Sequence, residues 1–140
     1  MYKITKTSTN FNGEEITRDY YFNLTEAEIV NMQLGKAGGL YEYLMTIVNA
    51  KEQTNIIDTL NKIILEAYGE KSADGEYFVK NEEIKAKFKA TQAFSDIYME
   101  LAFDDVKAAA FINGILPDKE KMRSKLAKMA EKQQTKADDK

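Results

Sequence analysis

Four pairs of adjacent carboxylates, Glu14/Glu15, Glu82/Glu83, Asp104/Asp105 and Asp138/Asp139, are the residues of this 140-residue chain best suited to chemistry. General acid–base work by such a pair needs one carboxyl in an apolar pocket that raises its pKa. Each pair has a simpler place: a turn, a first helical turn, a helix N-cap and a polar tail, and near a helix N-terminus negative charge favours the dipole. The chain contains no His and no Cys. That excludes Ser-His-Asp and Cys-His triads, imidazole catalysis, His- or Cys-ligated metals and disulfides. A magnesium site built from carboxylates alone lacks even an Asp-x-Asp spacing to support it. Gly35-Lys36-Ala37-Gly38-Gly39 has the glycines of a phosphate cradle, but no Lys-Ser/Thr follows, so it reads as a hinge. No enzyme, cofactor or metal is expected.

The elements that carry these residues belong to one domain. A chain of this length, 44% hydrophobic and 31% charged, can hold a core without staples. Charge divides it unevenly. From Asp118 to the end, 8 Lys/Arg face 5 Asp/Glu, so this stretch carries +3, and residues 1–117 carry −6 of a net −3. We therefore expect a folded body over 1–117 and a charged, partly helical or disordered tail over 118–140. An acidic body offers no concentrated basic face, which argues against nucleic acid as a partner. The longest apolar run, Ala108–Ile112, is far short of the roughly 18 residues a membrane span needs. The N-terminus has no h-region of a secretory signal. The expected location is the cytoplasm.

Residues 1–24 read as a β-hairpin about Phe11-Asn12-Gly13. A two-residue loop would split the apolar residues between faces. A three-residue loop with Gly13 left-handed pairs Tyr2 with Phe22 and Ile4 with Tyr20 and collects them with Ile16 on one face, although it sets Lys6 opposite Arg18. Thr25 and Glu28 form a capping box, with Leu24 and Ile29 as its hydrophobic staple. That helix should stop at Gly35. Leu40, Leu44, Ile47 and Val48 mark another helix, and Ile56, Ile57, Leu60, Ile63, Ile64 and Ala67 a third, closed by Gly69 at C′. Ser72-Ala73-Asp74-Gly75 turns the chain into a short extended segment at 76–80, and Asn81 caps a helix carrying Ile84 and Phe88. A helix from Thr91 should bury Phe94, Ile97, Tyr98 and Leu101. The next, capped by Asp104 or Asp105, carries Val106, Ala109, Ala110 and Phe111 and ends at Asn113-Gly114 before Pro117. The expected fold class is α+β: a mostly helical bundle with an N-terminal β-hairpin.

Beyond Pro117, Met122, Leu126 and Met129 form a stripe too narrow for a full core face. Such a stripe either folds back on its own body or docks a partner, and Met suits adaptable surfaces. Together with Phe111, Ile115 and Leu116 around Gly114, these residues are the candidate partner-binding set. Phe111 by its spacing is also a core residue.

The chain resembles the tail assembly chaperones of long, non-contractile-tailed phages of Gram-positive hosts. The likeness begins with Asp19-Tyr20-Tyr21-Phe22-Asn23-Leu24-Thr25-Glu26-Ala27-Glu28 and passes through Gly38-Gly39-Leu40 and Tyr68-Gly69-Glu70-Lys71-Ser72-Ala73-Asp74-Gly75. It continues in Thr91-Gln92-Ala93-Phe94-Ser95 and Tyr98-Met99-Glu100-Leu101, and is strongest in Ala109-Ala110-Phe111-Ile112-Asn113-Gly114-Ile115-Leu116-Pro117. The tail after Pro117 lies outside it. The resemblance implies a non-catalytic protein that coats the tape measure protein, helps recruit tail-tube subunits and leaves before the virion is complete. It also implies a longer form of the same protein made by ribosomal frameshift. A homo-oligomer is expected, because a hairpin edge and many aromatics favour self-association. Two other classes stand beside this one: a structural virion component, such as a head–tail connector or minor tail protein, and a regulatory module that binds host proteins.

Overall fold

A computed structural model describes residues 1–33, 56–118, 120–122, 124, 125, 127 and 128. Strands β1 (Tyr2–Thr9) and β2 (Glu15–Phe22) form the hairpin, followed by α1 (Glu26–Gln33) and α2 (Ile56–Ala67). Next come β3 (Tyr68–Lys71), β4 (Phe78–Val79), α3 (Glu82–Lys89), α4 (Gln92–Phe103) and α5 (Asp105–Ile115). The class is α+β. The expected helix at Leu40–Val48 and the stop at Gly35 lie outside the described residues.

The hairpin takes the three-residue loop. Tyr2 pairs with Phe22, Ile4 with Tyr20 and Lys6 with Arg18. The Asn10 amide donates to Glu14 at 2.8 Å, and Gly13 adopts φ +81°, the left-handed conformation the loop demands. The Lys6 ammonium, set opposite Arg18, is ion-paired with Glu100 on α4.

The hairpin does not stand alone: β2 pairs with β3 and β3 with β4, giving an antiparallel sheet in the order β1-β2-β3-β4. Strand β3 was not legible. Gly69, expected as a helical C′ residue, sits instead inside β3 opposite Tyr21. Its need for glycine is close approach, not backbone freedom: a Cβ there would lie 2.8 Å from the Phe78 ring and 2.9 Å from the Val79 carbonyl oxygen. Gly75 does use its freedom, at φ +76°, in the turn closed by its amide on the Ser72 carbonyl.

Capping follows the residue types. The Thr25 amide donates to Glu28 Oε1 at 3.0 Å and the Glu28 amide to Thr25 Oγ1 at 3.2 Å, a reciprocal box flanked by buried Leu24 and Ile29. Asn81, Thr91 and Asp104 cap α3, α4 and α5. Between β2 and α1 the chain also satisfies helix ends: the Asn23 amide donates to the Ala67 carbonyl at 2.9 Å and the Leu24 amide to Ile115 at 2.8 Å.

The core is an aromatic cluster roofed by the sheet. Phe22 is fully buried, with its ring 5.3 Å from Phe111 and 5.9 Å from Phe88, and Tyr68 stacks on Phe88 at 3.9 Å. Leu60, Ile63, Ile64 and Ala67 bring α2 to it, and Ile97 and Leu101 bring α4. Helix α5 departs from expectation. Its buried face is Ala108, Phe111, Ile112 and Ile115, whereas Val106 is 79% exposed. The run around Ala108–Ile112 is apolar all round, so periodicity did not define its phase, and the larger side chains won the interior. Nor does the helix end at Asn113-Gly114. It continues to Ile115, and within it Gly114 faces Tyr2, where a Cβ would stand 2.9 Å from Tyr2 Cγ.

Past Pro117, Asp118 opens another helical turn. Its Oδ1 accepts from the Lys121 amide at 3.0 Å, and the described residues among 120–128 are helical. Met122 is fully buried within the core cluster, and Lys125 is ion-paired with Glu26 on α1.

Candidate partner-binding surface

Of the six residues singled out as a contact set, four point inward. Phe111, Ile115 and Met122 are fully buried and Leu116 is 8% exposed. They tie α5 and the turn after Pro117 to the sheet, so in this conformation they hold the fold rather than offer a surface. Leu126 and Met129 lie outside the described residues.

The apolar side chains that face solvent are elsewhere. Met99, Phe103 and Val106 fall on either side of the turn from α4 to α5, and Phe103 and Val106 are three-quarters or more exposed; Met1, Phe11, Tyr77 and Val79 are exposed in other elements. Helix α4 puts them there by geometry. Ile97 and Leu101 face the core, which rotates Met99 and its i+4 neighbour Phe103 to the outside. Asp104 then caps α5, its Oδ1 accepting from the Val106 and Lys107 amides at 3.0 and 3.1 Å, and so turns Val106 outward at the same corner. Sequence reasoning passed over these three. The signal was present for two of them, because the stripe Phe94, Ile97, Tyr98 and Leu101 leaves Met99 and Phe103 off it.

Polar groups along α4 are occupied with partners on β1, α4 and α5. Glu100 accepts from Lys107 at 2.6 Å and from Lys6, and these two ammonium groups hold its carboxyl below the usual carboxylate range. Asp96 accepts from Ser8 Oγ at 2.6 Å and from Gln92 at 3.0 Å, which lowers its pKa as well. A partner at this turn therefore meets exposed apolar side chains near a Glu100 carboxyl already paired within the chain, an arrangement suited to apolar contact.

The carboxylate pairs stand where helices and turns want them. Glu82 and Glu83 fill the first turn of α3, Asp104 and Asp105 the cap and first turn of α5, Glu14 the hairpin bend and Glu15 the first position of β2, opposite Thr9. Asp138/Asp139 lie outside the described residues. Among the described residues the carboxyls with displaced acidity, Glu28, Asp74, Asp96 and Glu100, all move down, the opposite of what a general acid requires. Among the described residues no cluster of three or more acidic side chains could hold a metal ion, and no helix is long and apolar enough to cross a membrane.

No curated protein matches the chain, and no solved structure does. A family model does, and its match extends over residues 1–140, past Pro117, where the sequence resemblance ended. A small sheet-backed helical domain, with carboxylates spent on caps and bare apolar side chains at one corner, is thus matched over its whole length, and the chain belongs to the phage tail assembly chaperones.

Proposed function

We propose that this chain binds the tape measure protein of its phage, keeps it soluble and helps gather tail-tube subunits around it. It acts in the host cytoplasm before the virion is complete, without catalysis, and is the shorter of two forms, the longer arising by frameshift. The observation that carries this reading is the apolar corner Met99, Phe103 and Val106 on a member of the tail assembly chaperone family. A long client with apolar helical stripes aggregates when alone, and shallow, adaptable contacts repeated by many copies suit it better than one deep pocket. Apolar contacts of this kind should survive moderate salt.

Co-expression with the cognate tape measure protein tests the reading. The intact chain should hold the client in the soluble fraction and co-purify with it. The variant Met99→Ser/Phe103→Ser/Val106→Ser, altering only outward-facing side chains, should keep the fold and lose most of the solubilisation. Equal solubilisation by the variant would remove the corner from the contact, and failure of the intact chain to bind would overturn the function. The region beyond Pro117 is a proposed second contact. It is probed by Leu126→Ser/Met129→Ser with Met122 left in place, because Met122 belongs to the core.

A further inference from the structure

The hairpin presents a second surface, at its outer half. On the face of β2 that looks toward the helices, Phe22 and Tyr20 pack into or against the core, but Arg18 and Ile16 lie farther out, where the cover thins. There the hairpin and the α3–α4 junction enclose a groove of about 240 Å³, walled by Phe11, Ile16, Tyr20, Ala90 and Ala93 together with Arg18 and five uncharged polar residues of the hairpin and the junction. That is below the roughly 300–1,000 Å³ of small-molecule pockets and suits an inserted side chain better. Arg18 makes no ion pair among the described residues; its cross-strand neighbour Lys6 is drawn away to Glu100. The groove is a socket of mixed lining, with apolar and uncharged polar walls and a cation among them.

The same hairpin carries the complement. Phe11 at its tip is 79% exposed, and beside it Glu14 and Glu15 make no ion pair among the described residues. We propose that the groove receives the hairpin tip of a second copy of this chain, Phe11 entering the socket and Glu14 or Glu15 meeting Arg18. A two-fold arrangement satisfies both tips at once, since each copy offers socket and tip on one surface patch. Exposed aromatics and arginines are the residue types that dominate such interfaces. The inference does not depend on the client.

Sedimentation velocity over a wide concentration range, on the full chain without client, tests it. The intact chain should associate reversibly, and Phe11→Ser should weaken association by roughly tenfold or more. Arg18→Glu should weaken it roughly threefold or more, and the charge swap Arg18→Glu with Glu14→Arg/Glu15→Arg should restore it. All four positions are exposed, so circular dichroism should show the fold unchanged. Association indifferent to Phe11→Ser and Arg18→Glu would overturn the proposal. So would a strict monomer, including one whose groove is covered only when client is added, while client binding by that monomer would leave the proposed function standing.

Discussion

Met122 is the residue whose replacement most directly probes how the chain is organised beyond Pro117. Its side chain is fully buried among core residues, although it lies in a stretch whose composition suggests a solvated tail. Trimming it to Ala removes an apolar side chain worth about 1.5–3 kcal/mol of burial and leaves a space that the last helical turn can partly collapse into. The expected loss is about 2–3 kcal/mol, near the low end for Met→Ala because the site is at the edge of the core. For a chain of this size that lowers the thermal midpoint by about 7–10 °C. The companion change Lys125→Ala breaks the ion pair to Glu26, whose side chains are 56% and 35% exposed, and should cost less than about 1 kcal/mol. Apolar docking, not charge, should therefore hold this segment. Thermal unfolding of the two variants measures the difference, and hydrogen exchange should show amides 120–122 opening first in Met122→Ala. A loss below about 0.5 kcal/mol for Met122→Ala, or a larger one for Lys125→Ala, would refute the reasoning.

Gly114→Ala should destabilise, because its methyl would collide with the Tyr2 ring, but in a Tyr2→Ala background the same change should stabilise by up to about 1 kcal/mol through helix propensity. Urea unfolding of the four-member cycle reads that reversal of sign, and simple additivity would contradict it. Stability should also fall on acidification. Burial pulls the Glu28 carboxyl upward but is outweighed by the Lys80 ammonium at 2.6 Å and the Thr25 donors, and Lys107 and Lys6 depress Glu100. Carboxyls depressed in the folded state contribute stability that is complete above their unfolded pKa and lost as pH falls through the folded value. Urea midpoints between about pH 7 and pH 3 should therefore decline toward acid, and Lys80→Met should flatten the part due to Glu28, whereas a midpoint that rises on acidification would show the ion pairs do not form.

What the residues determined by themselves is local. The hairpin register follows from Gly13, which alone in the loop takes a left-handed φ without strain, and from the requirement that Tyr2, Ile4, Ile16, Tyr20 and Phe22 share a face. The caps at Thr25, Asn81, Thr91 and Asp104 are equally local, since a side-chain oxygen reaches an amide only two or three residues away. Tertiary structure decided the rest. Strand β3 exists because the end of β2 offers it an edge, and Tyr68-Gly69-Glu70-Lys71 has no alternation that would announce a strand. The phase of α5 was settled by packing of Phe111, Ile112 and Ile115, because a helix apolar on every side does not specify which side turns inward. The apolar corner depended on that same choice: once Ile97, Leu101 and Phe111 took the interior, Met99, Phe103 and Val106 were left outside, and Met122 was drawn in from a stretch whose charge suggested solvent. Exposure belongs to the assembled core, in which every buried face leaves another uncovered, so it could be read only when the elements were in place.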